Sequence, residues 1–182
     1  MANYYVRKQD VLNRGFAGYT TDDTLQILNS ILIKDSQELS LITIFLGAND
    51  AVIDPPNSNS HFVELDEYID NIRYMIHKIK DSNSQTRIIL IAPPPVDERK
   101  EHYRKNSSTI NYRNACLDLS KDLNVPIVDT WDLFKGKDEN LLYTDGLHLN
   151  KLGNDLVFEG LKSVIKQNWP DFQPKMLKNL YR

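Results

Sequence analysis

The stretch Arg87-Ile88-Ile89-Leu90-Ile91 decides the fold. Four consecutive apolar residues, three of them β-branched, follow Arg87. A run without polar alternation is typical of a strand that a parallel sheet covers on both faces. The stretch Leu41-Ile42-Thr43-Ile44-Phe45-Leu46 has the same character. We expect two further strands, shorter and less apolar, at Asp10–Asn13 and Val125–Val128.

Helical patterns lie between these stretches. Thr20-x-x-Asp23 has the spacing of a helix-capping box and predicts a helix start. A second helix is predicted near Thr109–Leu123, and Asn150 is placed to cap a last helix. The best amphipathic pattern repeats at the helical period between the two central strands. Its apolar positions are Leu65, Tyr68, Ile69, Ile72, Met75, Ile76 and Ile79.

Alternation of strands and helices predicts an α/β fold. We expect a flavodoxin-like, three-layer α/β/α arrangement with a mostly parallel sheet, formed by one domain over residues 1–182. The proline- and serine-containing stretch Asp54–Ser60 is predicted to be a loop. The tail from Trp169 is predicted to wrap over the surface.

Composition excludes several classes of protein. The chain has 182 residues, 22 basic and 25 acidic, with a net charge of -3. That balance argues against a dedicated nucleic-acid binder. No apolar run reaches the roughly 18 residues of a membrane span. The single cysteine, Cys116, allows no internal disulfide. The N-terminus has no apolar segment typical of a secretory signal, which predicts a cytoplasmic protein.

Asp145-Gly146-Leu147-His148 is the first candidate for chemistry. An imidazole transfers protons well near neutral pH, and a carboxylate on its other nitrogen fixes its tautomer. A tight turn with a glycine lets both side chains meet. The same residues also suit an ordinary turn before a helix, with His148 exposed.

Two other polar stretches follow strand ends, where such sheets bind ligands. In Gly47-Ala48-Asn49-Asp50, the amide of Asn49 could donate to an oxyanion. In the stretch Arg14–Thr21, the N–H of Gly18 could face an anion. The alternatives are an ordinary Asx turn for the first stretch and a glycine-containing connection, with Thr20 as helix cap, for the second. The spacing of a dinucleotide-binding glycine motif is absent.

The remaining histidines and the cysteine carry weaker signals. His61, His77 and His102 are interpreted as incidental, and Cys116 as a core residue. A metal-dependent hydrolase using Asp145, His148 and Asp50 remains an alternative hypothesis, although no paired ligand spacing is present.

Four blocks together resemble the SGNH, or GDSL-type, ester hydrolase family, and most closely its isoamyl-acetate-hydrolysing esterase branch. They occur in the family's order and span almost the whole chain. The blocks are Val11-Leu12-Asn13-Arg14-Gly15-Phe16-Ala17-Gly18-Tyr19, Thr43-Ile44-Phe45-Leu46-Gly47-Ala48-Asn49-Asp50-Ala51, Ala92-Pro93-Pro94-Pro95 and Asp145-Gly146-Leu147-His148-Leu149.

The resemblance implies a role for four residues. Gly18 and Asn49 match the family's oxyanion-hole glycine and asparagine. His148 matches the general base, and Asp145 the acid that orients it. The implied reaction is hydrolysis of small acyl esters, such as acetates, through an acyl-enzyme, with no metal or organic cofactor.

The positions of four other residues suggest where the substrate lies. Phe16, Tyr19, Pro94 and Leu147 could form an apolar wall for the alcohol part. The expected partner is therefore a small-molecule ester, with no nucleic acid and no membrane span.

The sequence departs from the family at its first block. The family's Gly-Asp-Ser, which carries the nucleophile, is absent, so we expect the first, nucleophile-bearing strand to be missing and the domain to be N-terminally incomplete. Loss of an inner strand predicts either re-pairing of Asp10–Asn13 with Leu41–Leu46 or poor stability, and it raises the chance of self-association. A non-catalytic, SGNH-like binding protein or a truncated form is the alternative function.

Overall fold

The computed structural model describes residues 1–35, 39–53 and 62–180. The loop predicted at Asp54–Ser60 and the residue His61 lie outside the described residues. The described residues form five α-helices and three strands, in the order α1 Thr21–Asp35, β1 Leu41–Ile44, α2 Leu65–Ser82, β2 Arg87–Ile91, α3 Asn106–Asp122, β3 Ile127–Val128, α4 Thr130–Phe134 and α5 Lys151–Asn168. A short 3₁₀ turn at Glu139–Leu141 lies between α4 and α5, and two more, at Pro170–Phe172 and Pro174–Met176, follow α5.

The three strands form a parallel sheet in the order β1-β2-β3. Leu41 pairs with Arg87 and Ile44 with Leu90, which fixes the register of the first pair. Leu90 pairs with Ile127 in the second. The central position of β2 explains its continuous apolar sequence, because both of its faces and both of its edges are covered.

Alternate residues of β2 enter two separate cores. Ile88 and Leu90 pack with α1, α2 and α3 on one face of the sheet. Ile89 and Ile91 pack with α5 and the chain termini on the other. Side chains alternate between faces along a strand, so one five-residue segment supports both layers. The predicted three-layer α/β/α fold is therefore confirmed.

Local sequence signals place the helix starts. Thr20 and Asp23 form the predicted capping box, in which the backbone N–H of each residue donates to the side chain of the other, at 3.0 and 3.3 Å. The side chain of Asn150 accepts from the N–H groups of Leu152 and Gly153 and begins α5. Both predictions are confirmed because a cap depends only on neighbouring residues.

The prediction of a strand at Asp10–Asn13 is wrong. These residues have no regular secondary structure and are exposed, Val11 and Leu12 included. With only two apolar residues, the segment has too little apolar surface to bury between two layers. The re-pairing with Leu41–Leu46 is also not observed among the described residues. The absence of the family's first strand stays a prediction.

None of the helices among the described residues has the length and apolar character needed to cross a membrane.

The predicted tail packs against the first residues of the chain. The Tyr5 hydroxyl donates to the Phe172 carbonyl at 2.9 Å, and Lys8 Nζ donates to the Leu177 carbonyl at 2.6 Å.

Candidate active site

The turn from Asp145 to His148 joins its acid and its imidazole. His148 Nδ1 lies 2.8 Å from Asp145 Oδ2. The other carboxylate oxygen, Oδ1, accepts from the backbone N–H groups of Leu147 and His148 at 3.1 and 2.8 Å. These bonds, that from the His148 backbone first, lower the pKa of Asp145 to about 2. An ionised carboxylate is thus held on the ring, as an imidazole acting as general base requires.

Backbone hydrogen bonds hold the turn from Asp145 to His148 in place. Tyr143 and Leu149 form an antiparallel bridge on either side of it. The Gly146 carbonyl accepts from the Asp97 N–H at 2.9 Å. The side chains of His148 and Asp145 remain 73% and 53% exposed, so the dyad faces solvent on a rigid base.

The end of β1 leads into the second candidate stretch. Asp50 is completely buried. Its Oδ1 accepts from the Thr21 hydroxyl at 2.5 Å and from the Thr21 backbone N–H at 2.9 Å, and burial raises the pKa of Asp50. This carboxyl group ties the residues after β1 to the start of α1. The neighbouring Asn49 therefore lies on a fixed backbone.

The Asn49 amide is bonded at both ends. Its Nδ2 donates to the Tyr19 carbonyl at 2.8 Å, which links the β1 end to the Gly18 turn. Its Oδ1 accepts from Arg104 Nη2 at 2.8 Å. Sequence reasoning missed Arg104, because it lies 55 residues from Asn49 and belongs to no motif.

The Gly18 turn is exposed and open. Gly18 has a φ of +79°, and a Cβ there would meet no atom within 4 Å. Nearby, the rings of Phe16 and Tyr19 stack with centroids 4.9 Å apart. Phe16 is 46% exposed, so this aromatic pair presents apolar surface to solvent.

The other candidate residues differ in exposure. Leu147 is half-buried, whereas Pro94 is buried and offers little surface to a ligand. His77 and His102 are exposed. Cys116 is buried in the core as predicted, and burial raises the pKa of its thiol to about 12.

The loop from Pro93 to Arg104 contacts both halves of the candidate site. Its Asp97 binds the Gly146 carbonyl, and its Arg104 binds Asn49. Among the described residues, the hydrogen bonds do not join His148 directly to Asn49 or Gly18. The two halves are thus connected through this one loop.

Metal ligands are not grouped in the part of the chain that the structure describes. No cluster of three or more His, Cys, Asp or Glu side chains there could hold a metal ion. The Asp50 carboxylate instead accepts hydrogen bonds from the backbone N–H and the hydroxyl of Thr21. The metal-dependent alternative has no geometric support.

Curated esterases from other organisms resemble this chain over most of its length. The yeast (Saccharomyces cerevisiae) isoamyl acetate-hydrolyzing esterase is 36% identical over 192 residues, covering 98% of this chain and 78% of that protein. The mouse (Mus musculus) isoamyl acetate-hydrolyzing esterase 1 homolog is 38% identical over 176 residues, covering 88% and 70%.

Solved structures share the fold. The lipase/acylhydrolase from Enterococcus faecalis superposes with a TM-score of 0.69 at 26% identity, covering 91% of this chain and 75% of that one. A catalytic mutant of an acetylxylan esterase from Geobacillus stearothermophilus has a TM-score of 0.72 at 22% identity, covering 85% and 71%. The model of the GDSL-like lipase/acylhydrolase family matches residues 1–156. The chain therefore belongs to the GDSL-like lipase/acylhydrolase family of ester hydrolases.

Proposed function

We propose that the chain hydrolyses small, neutral acyl esters, acetates above all, by acyl transfer. The observation that carries the proposal is the Asp145–His148 pair, with 2.8 Å between the carboxylate and Nδ1. That contact leaves Nε2 as the nitrogen that takes up a proton. The names of the yeast and mouse relatives support acetate esters as substrates.

The proposed division of labour follows the chemistry of each group. Because the family's serine nucleophile is absent from this sequence, the attacking group is water. His148 takes a proton from the water as the water oxygen bonds to the ester carbonyl carbon, and gives that proton to the alcohol oxygen as the ester C–O bond breaks, while Asp145 stabilises the imidazolium. Asn49 and the Gly18 N–H donate to the carbonyl oxygen as it becomes negative. The stacked Phe16–Tyr19 pair and Leu147 contact the alcohol part, whereas the buried Pro94 offers it little surface. No step requires a metal or an organic cofactor.

The test is turnover of p-nitrophenyl acetate by the 182-residue chain. We expect His148→Ala to abolish it. Asn49→Ala should lower kcat by about 10²–10³, the usual effect of removing one oxyanion donor. Lys151→Ala, in the exposed first turn of α5, is the control. Turnover that survives His148→Ala would refute the proposal.

A second function is a non-catalytic binding protein that keeps the pocket. One observation favours it: among the described residues, the His148 ring makes no hydrogen bond to a serine. In that case Gly18, Asn49 and His148 would hold a carboxylate or acyl oxygen. A folded chain that binds acetate but does not turn over the ester would identify this function.

Two further expectations belong to the proposal. The outer edge of β1 pairs with no other strand among the described residues, which supports self-association through that edge. Sedimentation-equilibrium measurements over a range of concentrations test this. The cytoplasmic location, expected from the sequence, is tested by fractionating cells that produce the chain.

A further inference from the structure

We propose that Arg104 is a positioning residue that fixes the orientation of the Asn49 amide; the inference rests on the proposed oxyanion role of Asn49. Arg104 Nη2 donates to Asn49 Oδ1 at 2.8 Å. On the opposite side of the amide, Asn49 Nδ2 donates to the Tyr19 carbonyl at 2.8 Å. The amide therefore lies between a group that can only donate and a group that can only accept.

Orientation matters because an asparagine amide is nearly symmetric in shape but not in chemistry. A half-turn about its last bond exchanges an acceptor oxygen for a donor NH₂. An oxyanion is stabilised by the NH₂ and repelled by the oxygen. The Arg104 guanidinium has donors and no acceptor, so it admits only the Oδ1 end. One N–H of Nδ2 binds Tyr19, and the other is left to donate to a substrate.

Arg104 is itself held on three sides. Its Nε donates to the Ala48 carbonyl at 2.5 Å, and its Nη1 to Glu101 Oε1 at 3.3 Å. The side chains of Arg104 and Glu101 are only 12% and 10% exposed. Glu101 Oε1 also accepts the Tyr103 N–H at 2.8 Å. A paired, nearly buried guanidinium with this many contacts has one geometry.

The type of side chain is part of the argument. A guanidinium presents a planar set of donors that can bind Ala48, Asn49 and Glu101 at once. A lysine ammonium is a compact charge at the end of a flexible stem, and it cannot reproduce that set. The positive charge of the Arg104 guanidinium beside Oδ1 also polarises the amide, which strengthens the donation from Nδ2.

The experiment compares Arg104→Lys and Arg104→Met with the parent chain, by p-nitrophenyl acetate kinetics. Both variants should lower kcat by about 10- to 100-fold, less than loss of the whole amide, with KM changed less than about twofold. In an Asn49→Ala background the same substitutions should change kcat less than about threefold, since the amide they orient is gone. Arg73→Met is the control, because Arg73 lies on α2, is 39% exposed and makes only a 3.9 Å contact with the exposed Asp122.

A second measurement does not depend on turnover. In ¹⁵N-labelled protein, the Asn49 side-chain NH₂ signals are identified by their loss in Asn49→Ala. We expect them to shift in both Arg104 variants and to stay in place in Arg73→Met. Urea unfolding shows which variants are folded. If Arg104→Met does not fold, the result for Arg104→Lys decides whether Arg104 positions the amide.

The outcomes separate the two proposals. Unchanged Asn49 signals in a folded Arg104 variant, or an undiminished loss of kcat in the Asn49→Ala background, would overturn the positioning role. A parent chain without turnover would refute the esterase proposal alone. The NH₂ signals would then still decide whether Arg104 orients the amide.

Discussion

Replacing Gly146 by alanine should destabilise the protein through two separate effects. Gly146 has a φ of +95°, and a backbone of this kind costs a residue with a side chain about 1–2 kcal/mol. A Cβ at this position would lie 2.9 Å from both the Asp97 carbonyl oxygen and the Glu101 nitrogen. Both are backbone atoms, so relief requires the loop to move, at a cost of about 1–3 kcal/mol.

The two effects add to about 2–5 kcal/mol of unfolding free energy, or a drop in Tm of about 4–20 °C for a chain of this size. Urea unfolding followed by the fluorescence of Trp131 and Trp169 measures the change. Gly136→Ala is the matched control. Gly136 has a φ of +74° but open space around it, so it should show only the backbone effect of about 1–2 kcal/mol. Equal losses in the two variants would refute the argument from packing.

Three other changes test the structure. Arg113→Met removes both hydrogen bonds to the half-buried Asp129 carboxylate, and we expect a loss of about 1.5–3 kcal/mol in urea unfolding; an unchanged midpoint would contradict it. The pKa of Asp145 is about 2, below its unfolded value of about 4, so its stabilising effect is complete above pH ~4 and is lost as the pH falls towards 2. Asp145→Asn should flatten the stability profile over that window, as thermal melts would show, and a parallel profile would count against it. Asn150→Ala should cost about 1 kcal/mol by loss of the α5 cap, with circular dichroism as the measurement and no change in Tm as the opposing result.

Features encoded by neighbouring residues could be predicted from the sequence. β2 has the predicted bounds, because a strand covered on both faces must be apolar throughout. The start of α5 follows from the side chain of Asn150 alone. The Asp145–His148 contact belongs to the same class, since it spans three residues around a glycine.

Features that depend on distant contacts could not be predicted. Nothing around Arg104 indicates that it binds Asn49, because the contact exists only after β1 and the Pro93–Arg104 loop have come together. The prediction of a strand at Asp10–Asn13 was wrong for the opposite reason, because a local pattern was present without the distant contact. The segment's two apolar residues satisfy a local strand pattern, but no partner strand pairs with them among the described residues.

The bonds within the Asp145–His148 turn have a consequence for how the protein can change. The carboxylate, the ring that contacts it and the two backbone N–H groups that donate to it all lie within four consecutive residues. The acid and the base therefore move together as one rigid unit. A shift of the underlying sheet would move the acid and the base without separating them, whereas the contact between Asn49 and Arg104 joins two different segments and depends on how β1 and the Pro93–Arg104 loop pack.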